Sequence, residues 1–180
     1  MTRSSEWQDK ARRIRLLALD VDGVLTDGTL HFHSDGQETK SFNILDGLGI
    51  KMLQRSGVQV ALITGRESPM VTRRAEALGI AHVHQGREDK LIALRALCEA
   101  LGLPLADVAY CGDDLPDLAA IRAAGLGLSV LNAPAYVREH ADWVPSRPGG
   151  QGAVREICDA LLASQGNWDA SLAPYRDDLE

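Results

Sequence analysis

Leu16-Leu17-Ala18-Leu19-Asp20-Val21-Asp22-Gly23 is the stretch that decides the fold. It is almost continuously apolar, then delivers two carboxylates and a glycine. A short run without alternation suits a strand covered on both faces, as in a parallel sheet. Residues 58–64 (VQVALIT), 108–111 and 126–130 read the same way, and residues 81–84 more weakly. Helical patterns fall between them. Ser68-Pro69 starts one that Gly79 stops. Leu91, Leu94, Leu97, Cys98 and Leu101 mark the apolar face of another, ending near Gly102. Pro116 opens a helix carrying Leu118 and Ile121, Asn132 and Pro134 start a short one, and Val154, Ile157, Leu161 and Leu162 mark the last. Strands alternating with helices predict an α/β fold: a Rossmann-like parallel sheet with helices on both faces. Residues 29–42 break the rhythm and read as a small β-hairpin insert, with Asp35-Gly36 as the turn signal.

The composition agrees with a single domain. The chain has 180 residues, 45% of them hydrophobic and 24% charged, with a formal net charge of -6. That excludes disorder, coiled coil and collagen, and disfavours nucleic-acid binding, which needs clustered cations. Cys98, Cys111 and Cys158 are too far apart for a zinc knuckle or a disulfide framework. No apolar stretch approaches a bilayer's thickness, and residues 1–10 are polar, so the expectation is a soluble cytoplasmic protein with no membrane contact. The expected organisation is one domain over residues 1–180, the hairpin at 29–42 standing in place of a larger insert, and a flexible tail over residues 164–180.

Ligands of such sheets bind beyond the carboxyl ends of the strands. There the sequence places Asp20 and Asp22, then Thr64-Gly65, then Gly112-Asp113-Asp114; Lys90, opening a helix, reaches the same crevice. Converging carboxylates repel one another unless a cation sits among them, and Mg²⁺ suits all-oxygen donors. A metal, a lysine and a threonine hydroxyl then form a receptor for a phosphoryl group. One carboxylate of the pair attacks phosphorus, and the other moves the proton. The competing reading, that Asp20 and Asp22 are merely turn residues, requires four separated elements to agree by accident. An EF-hand fails because Val24 stands where a ligand is needed, and no P-loop pattern occurs.

Asp20-Val21-Asp22-Gly23-Val24-Leu25-Thr26-Asp27-Gly28, Thr64, Lys90 and Gly112-Asp113-Asp114-Leu115-Pro116-Asp117 resemble, in order and spacing, the four motifs of the haloacid dehalogenase superfamily. The chain has no room for that superfamily's large cap. With its hairpin and Lys40-Ser41-Phe42 followed by Asp46-Gly47, it resembles the capless phosphatases of 3-deoxy-D-manno-octulosonate 8-phosphate, which act in lipopolysaccharide biosynthesis. The resemblance implies Asp20 as nucleophile and Mg²⁺ ligand. It implies Asp22 as general acid/base lending its carbonyl to the metal, and Asp113 as the remaining ligand. Thr64 and Lys90 would hold the phosphoryl oxygens. Asp114 and Asp117 would stand behind them, Asp117 either holding Lys90 or capping a helix. It also implies a homotetramer with active sites near subunit interfaces. Residues 147–156 resemble a segment that folds over its own or a neighbouring site. Phosphatases of nonulosonate 9-phosphates share the scaffold and are the alternative; a non-catalytic assembly module is the remaining one.

Other residues are read from chemistry alone. Arg66, at the crevice rim, meets either the substrate's carboxylate or phosphate or a local carboxylate. Lys40, on the hairpin, binds substrate in a neighbour's crevice or lies on the surface. Arg74 reads as a solvated residue, Asp27 as an orienter of the loop, Trp143 as core or interface, and Cys111 as an inert buried thiol. His31 with His33 and His82 with His84 share strand faces but lack a third metal ligand. Leu30 and Phe32 leave one hairpin face apolar, which calls for a partner.

Overall fold

The structure, a computed structural model, describes residues 5–176. In chain order the strands are β1 (Leu16–Leu19), β2 (His31–Phe32), β3 (Glu38–Thr39), β4 (Gln59–Ile63), β5 (His82–His84), β6 (Val108–Cys111) and β7 (Leu126–Leu128). Five of them form a parallel sheet in the order β5-β4-β1-β6-β7. β1 is central and buried at every position, as its unbroken apolar run requires. Chain order reverses about β1, so the crevice of this sheet opens at the ends of β1, β4 and β6. The register is level: Leu19 pairs with both Leu62 and Cys111. Asp20, Thr64 and Gly112 therefore leave the sheet at nearly one height.

The helices are α1 (Ser5–Arg13), α2 (Ile44–Arg55), α3 (Pro69–Leu78), α4 (Lys90–Leu101), α5 (Leu118–Ala123), α6 (Ala135–Arg138), α7 (Ala153–Ser164) and α8 (Trp168–Leu172). α2 packs on α7 and α3, and α1 and α8 pack on α7; α4 and α5 pack on each other. Gly79 and Gly102 end α3 and α4 in the left-handed conformation, as their sequence positions predict. The core is aliphatic, with Tyr110 its largest fully buried side chain.

Three elements differ from the sequence expectations. α1 buries only Trp7 and Ala11, too few for a periodic signal. α2 carries Gly47 and Gly49, which mask its helical pattern. The segment expected as a flexible tail instead holds α8 and a 3-10 turn at Ala173–Tyr175, with Trp168 and Leu172 packed against the core; residues 177–180 of that segment lie outside the described residues. Trp143 packs against the core too. Its ring meets Trp7 edge-on, with centroids 5.5 Å apart. The hairpin is short. Gly36 supplies its turn at φ +83°, and His31 pairs with Thr39. Phe32 is 69% exposed, and Ile44, just beyond the hairpin, is 81% exposed. Among the described residues, no helix is long and apolar enough to cross a membrane.

Candidate active site

Beyond the carboxyl ends of β1, β4 and β6 lies a cavity of about 670 Å³, lined by Asp20, Asp22, Thr64, Arg66, Lys90 and Asp113 among others. Asp20 continues β1 by donating its N–H to the Cys111 carbonyl (2.9 Å), so the sheet itself aims it. The chain then turns tightly. The N–H groups of Val24, Leu25 and Thr26 all donate to the Val21 carbonyl, and Thr26 Oγ1 accepts from Gly23 N and Gly28 N. Gly23 stands at φ +92°, and an added Cβ would lie 2.0 Å from Asp113 Oδ2. Only glycine lets the two carboxylate-bearing loops approach this closely. Asp27 accepts from Thr29 N (2.8 Å), which fixes the loop's exit.

Lys90 is 3% exposed and is shared by two carboxylates, Asp20 Oδ1 at 2.7 Å and Asp117 Oδ1 at 3.1 Å. Burial works against its charge, but attraction to Asp20 and Asp117 outweighs this and raises its pKa. Asp117 does both things left open for it. It holds Lys90, and its Oδ2 accepts from the N–H groups of Asp113 and Asp114, closing a capping box with Asp114. Tyr110 Oη also donates to Asp117 Oδ1 (2.6 Å). Asp114 spends its carboxylate on Leu115 N at the rim.

Oxygens of Asp20, Asp113 and Asp117 lie within 4.8 Å of one another, the one acidic group of this kind among the described residues. The Asp117 oxygens already accept four hydrogen bonds, so the donors turned to the cavity are Asp20 and Asp113. Burial first, then neighbouring carboxylates, push the pKa of both up to about 7. Such a site calls for a cation. Hard oxygen donors fit Mg²⁺, which keeps part of its shell for water or phosphate.

The structure places Lys40 differently from either sequence expectation. It is neither on the surface nor in a neighbour's crevice: its side chain is 1% exposed, and Nζ contacts Asp22 Oδ1 and Glu38 Oε1 (3.2 Å) of its own chain. Asp22 Oδ2 is buried without a hydrogen-bond partner. Arg66 takes the local carboxylate, Glu38 Oε2 at 3.0 Å, while lining the cavity. Arg74 is not a solvated residue. It is half-buried, donates to the Asn43 carbonyl (2.9 Å) and covers the Phe42 ring. His33 and His82 bond Thr39 and Gln59 respectively and join no acidic cluster. Cys111 is fully buried and its thiol pKa is raised by burial, as expected of an inert side chain. Tyr110 and Glu38 were missed in the sequence, one hidden in an apolar strand and the other in a hairpin.

Comparison with known proteins gives a consistent picture. A family model described as haloacid dehalogenase-like hydrolase matches residues 44–125. The 3-deoxy-D-manno-octulosonate 8-phosphate phosphatase of Escherichia coli (strain B / BL21-DE3) is 46% identical over 92% of this chain and 88% of its own. That of Haemophilus influenzae is 45% identical over 88% of each. The Moraxella catarrhalis phosphatase of the same name, crystallised with magnesium, phosphate and KDO, superposes with a TM-score of 0.93 at 50% identity, covering 94% of this chain and 98% of that one. A cobalt-bound Haemophilus influenzae structure gives a TM-score of 0.86 at 43% identity, over 89% and 94% of the two chains.

Proposed function

Since the chain belongs to the haloacid dehalogenase-like hydrolases and, within them, to the 3-deoxy-D-manno-octulosonate 8-phosphate phosphatases, we propose that it hydrolyses that phosphate to the free sugar acid and inorganic phosphate, with Mg²⁺, in lipopolysaccharide biosynthesis. The observation that carries the reading is the placement of Asp20, Asp113 and Lys90 around one cavity, from elements some ninety positions apart.

Lys90 holds Asp20 Oδ1, which leaves Oδ2 to attack phosphorus. The ester P–O bond breaks as the bond from Asp20 to phosphorus forms. Lys40 occupies Asp22 Oδ1, so the unpartnered Oδ2 is the atom that gives its proton to the departing sugar oxygen. The same oxygen then takes a proton from water, whose attack releases phosphate and restores Asp20. Lys90 has three donors and spends two on Asp20 and Asp117; the third is left for a phosphoryl oxygen. Thr64 accepts from Arg66 N and keeps its own hydroxyl hydrogen for another. Asp20, Asp113 and the Asp22 carbonyl would hold Mg²⁺, which supplies positive charge against the anionic phosphoryl group. Arg66 exchanges Glu38 for the sugar's carboxylate, a bidentate match. Lys40 thereby serves the reaction by aiming Asp22 rather than by gripping substrate.

The exposed Phe32 and Ile44, with no cap to cover them, support a homotetramer with hairpins at the subunit contacts and the sites close by. A cytoplasmic reaction is supported by the polar start of the sequence and by the absence, among the described residues, of a helix long and apolar enough to cross a membrane. Phosphate release should be compared on the octulosonate 8-phosphate and a nonulosonate 9-phosphate, with Mg²⁺ and after chelation. The expected result is kcat/KM at least about tenfold higher on the octulosonate, lost on chelation. A reversed preference would move the chain to the nonulosonate branch.

A further inference from the structure

Gly23 poses a mechanical problem. It must be glycine to clear Asp113, which makes it the most freely rotating residue of the turn that carries Asp22. Its N–H is held by Thr26 Oγ1 (3.3 Å). Its carbonyl is held from a distant part of the chain: Asn132 Nδ2 donates to Gly23 O at 3.0 Å. The other end of the same amide is also engaged, because Asn132 Oδ1 accepts from Gly149 N at 2.6 Å. Gly150 N donates to the Val24 carbonyl (2.9 Å), and Asn43 Nδ2 donates to the Gly150 carbonyl (3.2 Å). Residues 149 and 150 therefore lie backbone to backbone on the turn. An added Cβ at Gly149 would stand 1.8 Å from Gly23 O, and one at Gly150 would stand 2.5 Å from the Thr26 carbonyl carbon.

We propose that Asn132, with Gly149 and Gly150, forms a clamp that fixes the Gly23-Val24 peptide, next to Asp22, from behind, so that Asn132 is a positioning residue for proton transfer. Asn132 does not serve the helix it precedes. α6 takes Pro134 as its N-cap and receives no side-chain bond, so the amide is free for this second task. Both hydrogen bonds of the side chain cross long distances in sequence, and both end on backbone atoms of glycines. A glycine freed of its restraints samples a wide range of φ and ψ. Release of the Gly23 carbonyl therefore shifts the Asp22 carboxylate while leaving Thr64 and Lys90, the groups that grip phosphate, where they are. The signature is a loss in kcat rather than in KM.

The clamp rests on the phosphatase reading for its kinetic consequence but not for its mechanics, and two measurements on the full-length protein separate them. Asn132→Ala is expected to lower kcat about ten- to a hundredfold with KM within about twofold. The side chain is exposed and its loss leaves no core cavity, so folding survives. Hydrogen exchange of the same variant is expected to quicken together in peptides covering residues 20–27 and 147–152. Gly149→Ala, which keeps the Asn132 amide but pushes on Gly23 O, is expected to give the same kinetic signature. An unchanged kcat, a loss confined to KM, or quicker exchange in residues 147–152 alone would overturn the proposal. If the wild-type protein hydrolyses no phosphomonoester, the phosphatase reading fails, and the paired exchange still decides the clamp.

Discussion

Tyr110 sits in the middle of an apolar strand and is wholly buried, yet its hydroxyl donates to Asp117. That bond steadies the carboxylate on which Lys90 and the capping box both depend. Tyr110→Phe removes it without opening a cavity. The expected cost is about 1.5–3 kcal/mol in denaturant unfolding, the range for hydrogen bonds to charged groups. A variant as stable as the parent would show that Lys90 and the N–H groups of Asp113 and Asp114 suffice to hold Asp117. Lys40 belongs to the same scale. Lys40→Met leaves Asp22 Oδ1 without its cation, and steady-state kinetics are expected to show kcat falling at least about tenfold, with a smaller change in KM. A loss falling mainly on KM would return Lys40 to the substrate-binding role. The motif carboxylates were legible because each follows a strand whose apolar run announces its end. Tyr110 and Asn132 were not, and Lys40 was singled out without its partner Asp22, because the partners of all three lie on other elements and nothing local reveals them.

At the scale of elements, the strands and the glycine-stopped helices could be read directly, whereas α2 could not. Its glycines weaken helix propensity, and the structure gives the reason for them. A Cβ at Gly49 would meet the Arg155 Cδ at 2.9 Å and its Cα at 3.1 Å. A Cβ at Gly47 would meet chiefly the end of the Arg74 side chain. Close packing of α2 against α7 overrides local preference there. Gly49→Ala is therefore expected to lower the melting temperature, overpacking costing about 1–3 kcal/mol against a propensity gain of about 1 kcal/mol. Gly47→Ala is expected to lower it less, because a flexible arginine gives way. The reverse ranking in thermal melts would contradict this account of the helix. The hairpin was visible from Asp35-Gly36 and from an alternation that left Leu30 and Phe32 on one face. Where its lysine would reach was not, since a turn signal fixes pairing but not docking.

For the whole molecule, the acidic site couples stability to pH. Asp20 and Asp113 have pKa values raised to about 7, by burial first and by neighbouring carboxylates next. Between the ordinary carboxyl value of 3.8 and about 7, the folded protein binds more protons at these groups than the unfolded chain does. Unfolding free energy must then fall as pH rises through that window, where fewer bound protons favour the unfolded state. The metal-free protein is expected to melt progressively lower from about pH 5 to about pH 8, and Mg²⁺ is expected to raise the melting temperature more at the upper end. A metal response of equal size at both ends would contradict the site's electrostatics. The proposed homotetramer is tested at the same scale: Phe32→Glu is expected to reduce the mass read by sedimentation, and an unchanged mass would contradict assembly through the hairpin.

The account stands or falls on Asp20 as the group that attacks phosphorus. Asp20→Asn is nearly isosteric, and its remaining oxygen can still accept from Lys90. Phosphate release from 3-deoxy-D-manno-octulosonate 8-phosphate, measured with saturating Mg²⁺, is predicted to drop at least about a thousandfold with the fold intact. Release within about tenfold of the parent enzyme would contradict it.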